Sequence, residues 1–401
     1  MPMALEGVRI LDWTMAQQGP VATQMLADMG AEVIKIEPPI RGDRGRGLKR
    51  IYGKTWDFKG VNSYFEAHNR NKKSVTVDLA HSKGKEIIYR LATKSDVFVH
   101  NFRVGAAERM GVGYEDLRKL NPKIIYAHAS GFGPKGPDRE SGAIDPIAQA
   151  RSGIMSVTGK PNDLPILIPA GVADQVGAML LAYGIVTALF ARERLGIGQR
   201  IDTSLLGGQI ALQGHLLQNY LFSGSPPNKI SRMDMSPTYN YYQTKDGRWI
   251  MVGLMQQKYW PRLCRALGVE GLENDPRFNA LDTRQENNRE LIGVLDQIFA
   301  TRTAKEWLER LTANDVIHGL VQDYIEVESD PQVMENEYIV NFNHPVVGPT
   351  KLVGIPVKLS ENPGQIRESA PQLGQHTEEV LLEVGGYTWD EIAQFREERV
   401  I

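Results

Sequence analysis

Cysteine is almost missing from this chain. Its 401 residues include one, Cys264, so no intrachain disulfide and no cysteine-based metal cluster can form. An excess of one charge is missing too. Lys and Arg total 46 against 48 Asp and Glu, a net charge of −2, without the basic footprint that nucleic-acid binding requires. The basic run Arg41 to Arg50 is interrupted by glycines and reads as a solvated loop or a small-anion site. The eight histidines are scattered, with no H-E-x-x-H and no Cys-His cluster, so no metal site is expected. Single histidines such as His68, His128 and His318 read as satisfied loop or core residues. Long apolar runs are lacking. The nearest, Ala178 to Phe190, is broken and flanked by Asp174 and Arg192, short of the roughly 18 residues of a membrane span. Met1 to Gly7 lacks the charged-then-apolar pattern of a signal peptide. The expectations are no nucleic-acid partner, no membrane partner and a cytoplasmic location.

What is present is a core-sized hydrophobic content, 42%, in a chain too long for one small domain. Gly7 to Trp13, Ala31 to Glu37, Val75 to Leu79, Asp96 to His100 and Lys123 to Ala129 read as apolar strands. Helical spacing fills Pro20 to Met29, which stops at Gly30, then Ser82 to Thr93 and Gly105 to Met110. Strands alternating with helices predict an α/β fold with a parallel sheet. Val172 to Glu193 is one long apolar helix stopped by Gly196 and Gly198. Ile201 to Ser204 is a strand, followed by an apolar helix through Leu221. Ser223 to Pro227 reads as a linker. Tyr239 to Leu254 reads as a hairpin around Lys245-Asp246-Gly247, and charged helices continue to about Asn314. Short strands are expected within Pro345 to Val357 and an amphipathic helix near Thr377 to Val384. The expected organisation is residues 1–222 as a large Rossmann-like domain, 223–330 as a smaller α+β domain with its linker, and 331–401 as a return to the large domain.

Gly131, Gly133 and Gly136 form a literal G-x-G-x-x-G after a strand. A dinucleotide site needs that turn to open a helix and an acid about 20 residues on. Pro134 and Pro137 break the run, and Met155 to Lys160 supplies no acid. The first turn, Thr14 to Pro20, holds Gln17, Gln18 and a single Gly19, so the architecture is Rossmann-like without its chemistry. No P-loop and no G-x-S-x-G elbow is present. Asp174 stands in Gly171-Val-Ala-Asp-Gln-Val-Gly177, at the entry of the most apolar helix. From spacing alone, capping of free helix N–H groups is the stronger reading. The small neighbours Gly171, Ala173 and Gly177 equally admit a bulky ligand close to the backbone.

Several segments together carry a resemblance. They are GVRILDWTMAQQGP (residues 7–20), LADMGAEVIKIE (26–37), NRNKKSVTVD (69–78), NFRVGAAERMG (101–111), Gly171 to Gly177, GIGQRIDTSL (196–205) and LGQHTEEV (373–380). With them the chain resembles, over nearly its whole length, the class III CoA-transferases. That family includes formyl-CoA:oxalate and carnitine CoA-transferases and the 2-methylacyl-CoA racemases. The resemblance implies a large Rossmann-like domain, a linker into a small domain, a return, and an interlaced homodimer. It implies that Asp174 is the nucleophile and that Gln17 and Gln18 line the thioester end of CoA. It further implies that Val77, Asp78 and Leu79 lie beside the adenine, and that Asn101, Phe102 and Arg103 run along nucleotide and pantetheine. Arg109 matches a phosphate-binding arginine, and Ile144 and Asp145 match positions near the pantetheine arm. No permanently bound cofactor is implied; the CoA thioester is a substrate, and the partners are an acyl-CoA and a free carboxylic acid.

Two departures bear on substrate. Pro38 and Pro39 follow Glu37 where the family often has arginine or glycine, leaving phosphate contacts there to Arg41 or Arg44. In place of a mobile glycine run stands Ser231 to Tyr242 (SRMDMSPTYNYY), which reads either as packing or as a site for an acid larger and more apolar than oxalate. The racemases need a histidine just before the acid that Asp145 matches. Ile144 occupies that position and cannot exchange a proton. The expected function is therefore CoA transfer, with succinyl-CoA the default donor. A racemase and a non-catalytic CoA-binding subunit are the alternatives.

Overall fold

In the computed structural model, which describes residues 2–51 and 53–401, six short segments build one parallel sheet. They are β1 (Arg9–Trp13), β2 (Glu32–Glu37), β3 (Lys72–Thr76), β4 (Val97–His100), β5 (Ile125–Ser130) and β6 (Arg200–Ser204). Their order is β6-β5-β4-β1-β2-β3, every neighbouring pair parallel. The third strand starts and ends earlier than the apolar run predicts. Lys72 and Lys73 open it, and Val77, Asp78 and Leu79 lie beyond its end. Ordinary strand patterning hides this, because a fully buried Lys72 needs a carboxylate partner that only the fold supplies.

The associated helices begin with α1 (Gln18–Asp28), α2 (Ser63–Asn69) and α3 (Ser82–Ala92). There follow α4 (Asp145–Ser152), α5 (Val172–Leu195), α6 (Leu205–Leu212) and α7 (Gly214–Ser223). The apolar run after β6 is thus two helices rather than one, parted at Gln213. Alternate strand residues feed two cores, since successive side chains point to opposite faces. Ile10, Val33, Val99 and Ala127 pack with Leu26, Leu181 and Ile185 of α1 and α5. Leu11, Ile34, Phe98 and Tyr126 pack with Ile87, Ile88 and Leu91 of α3. The helix α5 is long and apolar enough to cross a membrane by length and composition. One stripe of it, including Ala178, Leu181, Ala182 and Ile185, is buried on the sheet, while Met179, Tyr183, Val186 and Phe190 are exposed.

The chain divides into two compact units: Met1–Met155 with Leu167–Ser225 and Pro331–Ile401, and Ser156–Ile166 with Pro226–Asp330. The short excursion Ser156–Ile166 carries no sequence mark. The second unit has an antiparallel sheet of β7 (Tyr239–Gln243), β8 (Trp249–Gly253) and β9 (His318–Leu320), in that order. Helices α8 (Trp260–Leu267), α9 (Asn288–Phe299) and α10 (Ala304–Ala313) cover it, with Trp260, Trp307, Phe278 and Phe299 in the core. Within Ser231 to Tyr242, Tyr242 is buried and donates its hydroxyl to the carbonyl of Pro237 at 2.6 Å, and Met233 packs on the core. Packing accounts for these two, while Tyr239 stays exposed.

The return forms a hairpin of β10 (Ile339–His344) and β11 (Gly348–Val353), earlier than Pro345 to Val357. It ends in α11 (Thr377–Glu383) and α12 (Trp389–Glu397), which add Val380, Leu381, Ile392 and Phe395 to the core beside α3.

Candidate active site

From β1 the chain winds outward through β2 and β3, then returns to β4 on the other side of β1. The ends of β1 and β4 therefore part at a topological switch point, where open α/β sheets bind ligands. Two candidate segments flank it: Thr14 to Gln18 after β1, and Asn101 to Arg103 after β4. They are stitched together. Asn101 Oδ1 accepts from the N–H of Met15 at 2.9 Å, and its Nδ2 donates to the Met15 carbonyl at 2.8 Å. The Asn101 amide is thus spent on the loop. His128, read from sequence as a satisfied residue, is buried with Asp202 at 3.2 Å on one ring nitrogen and the Phe102 carbonyl at 2.9 Å on the other. It holds the second segment in place.

The first loop is fixed from below by buried charges. Asp12 accepts from Thr14 N–H at 3.1 Å, from the Thr23 hydroxyl at 2.7 Å and from Lys72 Nζ at 2.9 Å. Lys35 Nζ donates to the Thr14 carbonyl at 2.9 Å and pairs with Asp43 at 2.8 Å. Asp43 in turn accepts from the N–H of Ala16 at 2.9 Å and of Gly45 at 2.8 Å. Burial by itself would raise the Asp12 carboxyl, but Lys72 and Lys35 more than offset this and hold it well below the carboxylate range. Burial brings Lys72 down to about 8, against the pull of Asp12. Each of these ions is paired, as burial demands. The network sets Ala16 in the left-handed region, φ 66°, and turns Gln17 inward.

Gln17 lies flat over Gly171. A Cβ there would sit 2.6 Å from Gln17 Nε2 and 2.8 Å from Oε1, and Gly171 has φ 64°. Glycine is required on both counts. Gln18 packs in the same way on Gly177, where a Cβ would lie 2.6 Å from Gln18 Nε2.

Asp174 is the third residue of α5, not its cap, and the cap is supplied by another acid. Asp145 Oδ2 accepts from the N–H of Ala173 at 2.6 Å and of Asp174 at 3.3 Å. Its Oδ1 accepts from Gln149 Nε2 at 2.6 Å. Gln149 also clasps Ile168, donating to its carbonyl at 2.9 Å and accepting from its N–H at 3.0 Å. Both Asp145 oxygens are occupied within the chain. The capping reading of Asp174 is overturned: its carboxylate accepts no hydrogen bond among the described residues. Burial, and then the charge of Asp145, push its pKa up to about 7.

The other candidates stand further along the rim. Arg103 is exposed and its guanidinium covers Gly142, where a Cβ would collide with it; Arg109 is exposed and covers Gly105. Ile144 is 66% exposed beside Asp145. Val77, Asp78 and Leu79 follow β3, two strands from β1, roughly 10 Å away at the usual strand spacing. Their backbone is anchored, Val77 N–H to the Glu37 carbonyl at 2.9 Å and Asp78 N–H to the Val400 carbonyl at 2.8 Å. Arg41 and Arg44 are exposed, whereas Arg46 is taken by Glu37 in a two-pronged pair at 2.8 Å. After Gly131 to Gly136 the next helix is α4, nine residues on, so that turn opens no helix and forms no dinucleotide fingerprint.

Sequence reasoning missed Lys35, Lys72, Asp43, Gln149 and Tyr64. Two had a signal: Lys35 and Lys72, like Asp12, are charges inside strands, where an ion must find a partner. Tyr64 had none. Its hydroxyl donates to Gln17 Oε1 at 3.3 Å.

Comparison with known proteins gives the family. The model of CoA-transferase family III matches residues 5–377. A succinyl-CoA–D-citramalate CoA-transferase of Chloroflexus aurantiacus is 33% identical over 100% of this chain and 98% of its own length. A succinyl-CoA:glutarate CoA-transferase of Homo sapiens is 36% identical, covering 96% of this chain and 86% of its own. The crystal structure of a CAIB/BAIF family protein from Brucella suis superimposes with a TM-score of 0.83 at 28% identity, over 96% of this chain and 100% of the other.

Proposed function

Because the chain belongs to CoA-transferase family III and is an enzyme of that class, we propose that it carries CoA from an acyl-CoA donor to a free carboxylic acid through Asp174. One observation carries this reading: a half-buried carboxylate without a hydrogen-bond partner among the described residues, on a helix start already capped by Asp145.

The Asp174 carboxylate attacks the donor thioester carbonyl, forming a mixed anhydride and releasing CoA thiolate. The thiolate attacks the Asp174 carbonyl of that anhydride, giving an aspartyl-CoA thioester and the free donor acid. The acceptor carboxylate then attacks the aspartyl thioester, and the expelled thiolate takes the acceptor acyl group, regenerating Asp174. No net proton is consumed, and one difficult transfer becomes four matched ones. Gln17 Nε2 and nearby backbone N–H groups supply donors for the tetrahedral oxyanions. CoA runs from Gln18, Ile144 and Asp145 past Asn101, Phe102 and Arg103 toward Val77, Asp78 and Leu79. Arg103 and Arg109 meet its phosphates, a task suited to guanidinium.

Succinyl-CoA is the donor of choice, in keeping with the names of both relatives. An acceptor larger than oxalate is in keeping with the names of the citramalate and glutarate transferases. The substrates are water-soluble, which suits a cytoplasmic enzyme without a resident cofactor. The exposed apolar stripe of α5, with Met179, Tyr183, Val186 and Phe190, supports a homodimer, since monomers rarely leave such a patch bare. Light scattering that found an active monomer at micromolar concentration would refute it.

The decisive test of the mechanism is a trapped intermediate. Wild-type protein with acyl-CoA alone gains a CoA-sized adduct on the peptide holding Asp174, and hydroxylamine converts it to a hydroxamate. Asp174→Asn shows neither and does not turn over. Near-normal turnover in Asp174→Asn would sink the reading.

A further inference from the structure

We infer that Tyr64 is a positioning residue: it fixes the Gln17 side-chain amide with its oxygen occupied and its NH2 end free to donate. This rests on the role proposed for Asp174 and extends it to a residue outside the CoA-binding segments. The two ends of a glutamine amide are nearly the same shape, so hydrogen bonds decide which end faces where. Gln17 lies against Gly171, three residues before Asp174, with both amide ends within 2.8 Å of where a Cβ would sit there. Presented one way, it offers a donor to a developing oxyanion; presented the other, it offers a repelling carbonyl. The Tyr64 hydroxyl, donating to Gln17 Oε1 at 3.3 Å, occupies that oxygen and so holds the first.

Tyr64 is held for this task. It stands in the first turn of α2, which Asn62 caps by accepting from the Phe65 N–H at 3.0 Å. Its ring meets His68 edge-on at 4.5 Å and Trp56 at 5.8 Å, and rests on Gly45, where a Cβ would lie 3.4 Å from it. Gly45 belongs to the loop that Asp43 ties to Ala16. One buried ion pair thus sets both the phenol and the glutamine. Burial, and then the charges of Asp174, Asp43 and Asp145, push the Tyr64 pKa upward, so the phenol keeps the proton it donates.

The test is a double-mutant cycle on steady-state kinetics. Tyr64→Phe removes the hydroxyl and keeps the ring contacts. Its kcat should fall about 10- to 100-fold, short of the roughly 10²- to 10³-fold for outright loss of an oxyanion donor, while KM for acyl-CoA stays within about twofold. In a Gln17→Ala background the same change should do nothing further, because the phenol acts through the amide. Circular dichroism and thermal melting should match wild type. Unchanged kcat in Tyr64→Phe, or fully additive losses in the double variant, overturns the inference. If Tyr64→Phe folds poorly, the comparison within the Gln17→Ala background at low temperature decides in its place. Asp174→Asn separates the two claims. Inactive Asp174→Asn with normal Tyr64→Phe defeats only the role of Tyr64, whereas active Asp174→Asn defeats the mechanism beneath it.

Discussion

Asp145 caps the helix that carries Asp174: one of its carboxylate oxygens accepts from the backbone N–H of Ala173 at 2.6 Å and of Asp174 itself at 3.3 Å. Two acids share one helix terminus with divided work. The first accepts from two free N–H groups, and the second keeps a half-buried carboxylate with no hydrogen-bond partner among the described residues. The proximity of their charges adds to burial in raising the Asp174 pKa to about 7.

The pH dependence follows from that value. Only the carboxylate form of Asp174 attacks a thioester, so kcat/KM should rise with pH through a midpoint near 7 and then level. Asp145→Asn keeps one oxygen acceptor, which can still serve the helix N–H groups, and removes the second charge. Its midpoint should move to lower pH, yet stay above the usual carboxylate range, because burial is the larger cause. Unmoved pH profiles in this variant would show that Asp145 does not tune Asp174.

Stability should respond to the same carboxyl with the opposite sign to a salt-bridged acid. The folded pKa of Asp174 lies above the ordinary aspartate value of 3.8, so the folded state holds the proton longer than the unfolded chain. Stability from this group is present at low pH and is lost as pH rises from about 4 through about 7. Asp174→Asn carries no charge at any of these values. The variant should therefore melt at a higher temperature than wild type at pH 8, by roughly a few degrees, and the gap should close toward pH 4. A variant less stable than wild type at pH 8 would contradict the assignment of a buried, unpaired charge.

Arg109→Ala should weaken substrate binding without slowing the bound reaction. Its guanidinium is exposed, and its proposed contact is with a phosphate remote from the reacting carbonyl. Losing one charge-assisted hydrogen bond should raise KM for acyl-CoA by about 10- to 100-fold, with kcat within about twofold. Initial-rate measurements that found kcat reduced at unchanged KM would remove Arg109 from the CoA site.

The α-carbon of a bound acyl group should keep its hydrogen. Racemisation needs an acid or base on each face, and Ile144, at the position where the resemblance to the racemases implies the second, is exposed and can exchange no proton. A 2-methylacyl-CoA incubated with the enzyme in heavy water should remain unlabelled by mass spectrometry. Steady deuterium uptake without an acceptor acid would move the enzyme to the racemase class.

Much of the large unit was legible in the residues themselves. Alternating apolar segments such as RILDW and EVIKIE, separated by helical spacing and closed by Gly30, specify strands and helices locally. Asp174 stood out because small residues crowd around it in one run of seven. The strand opened by Lys72 and Lys73 was misplaced, because a lysine inside a sheet is tolerated only where Asp12, 60 residues earlier in the chain, comes within 2.9 Å. Sequence alone thus determined the parallel α/β core, because patterning acts over a few residues, and singled out Asp174 as the candidate nucleophile only through the family resemblance. Only the tertiary structure decided which acid caps the helix and which remains free, and that Tyr64 reaches Gln17. Those outcomes depend on hydrogen bonds between groups 29 and 47 residues apart, and no local pattern encodes which distant donor will meet which acceptor.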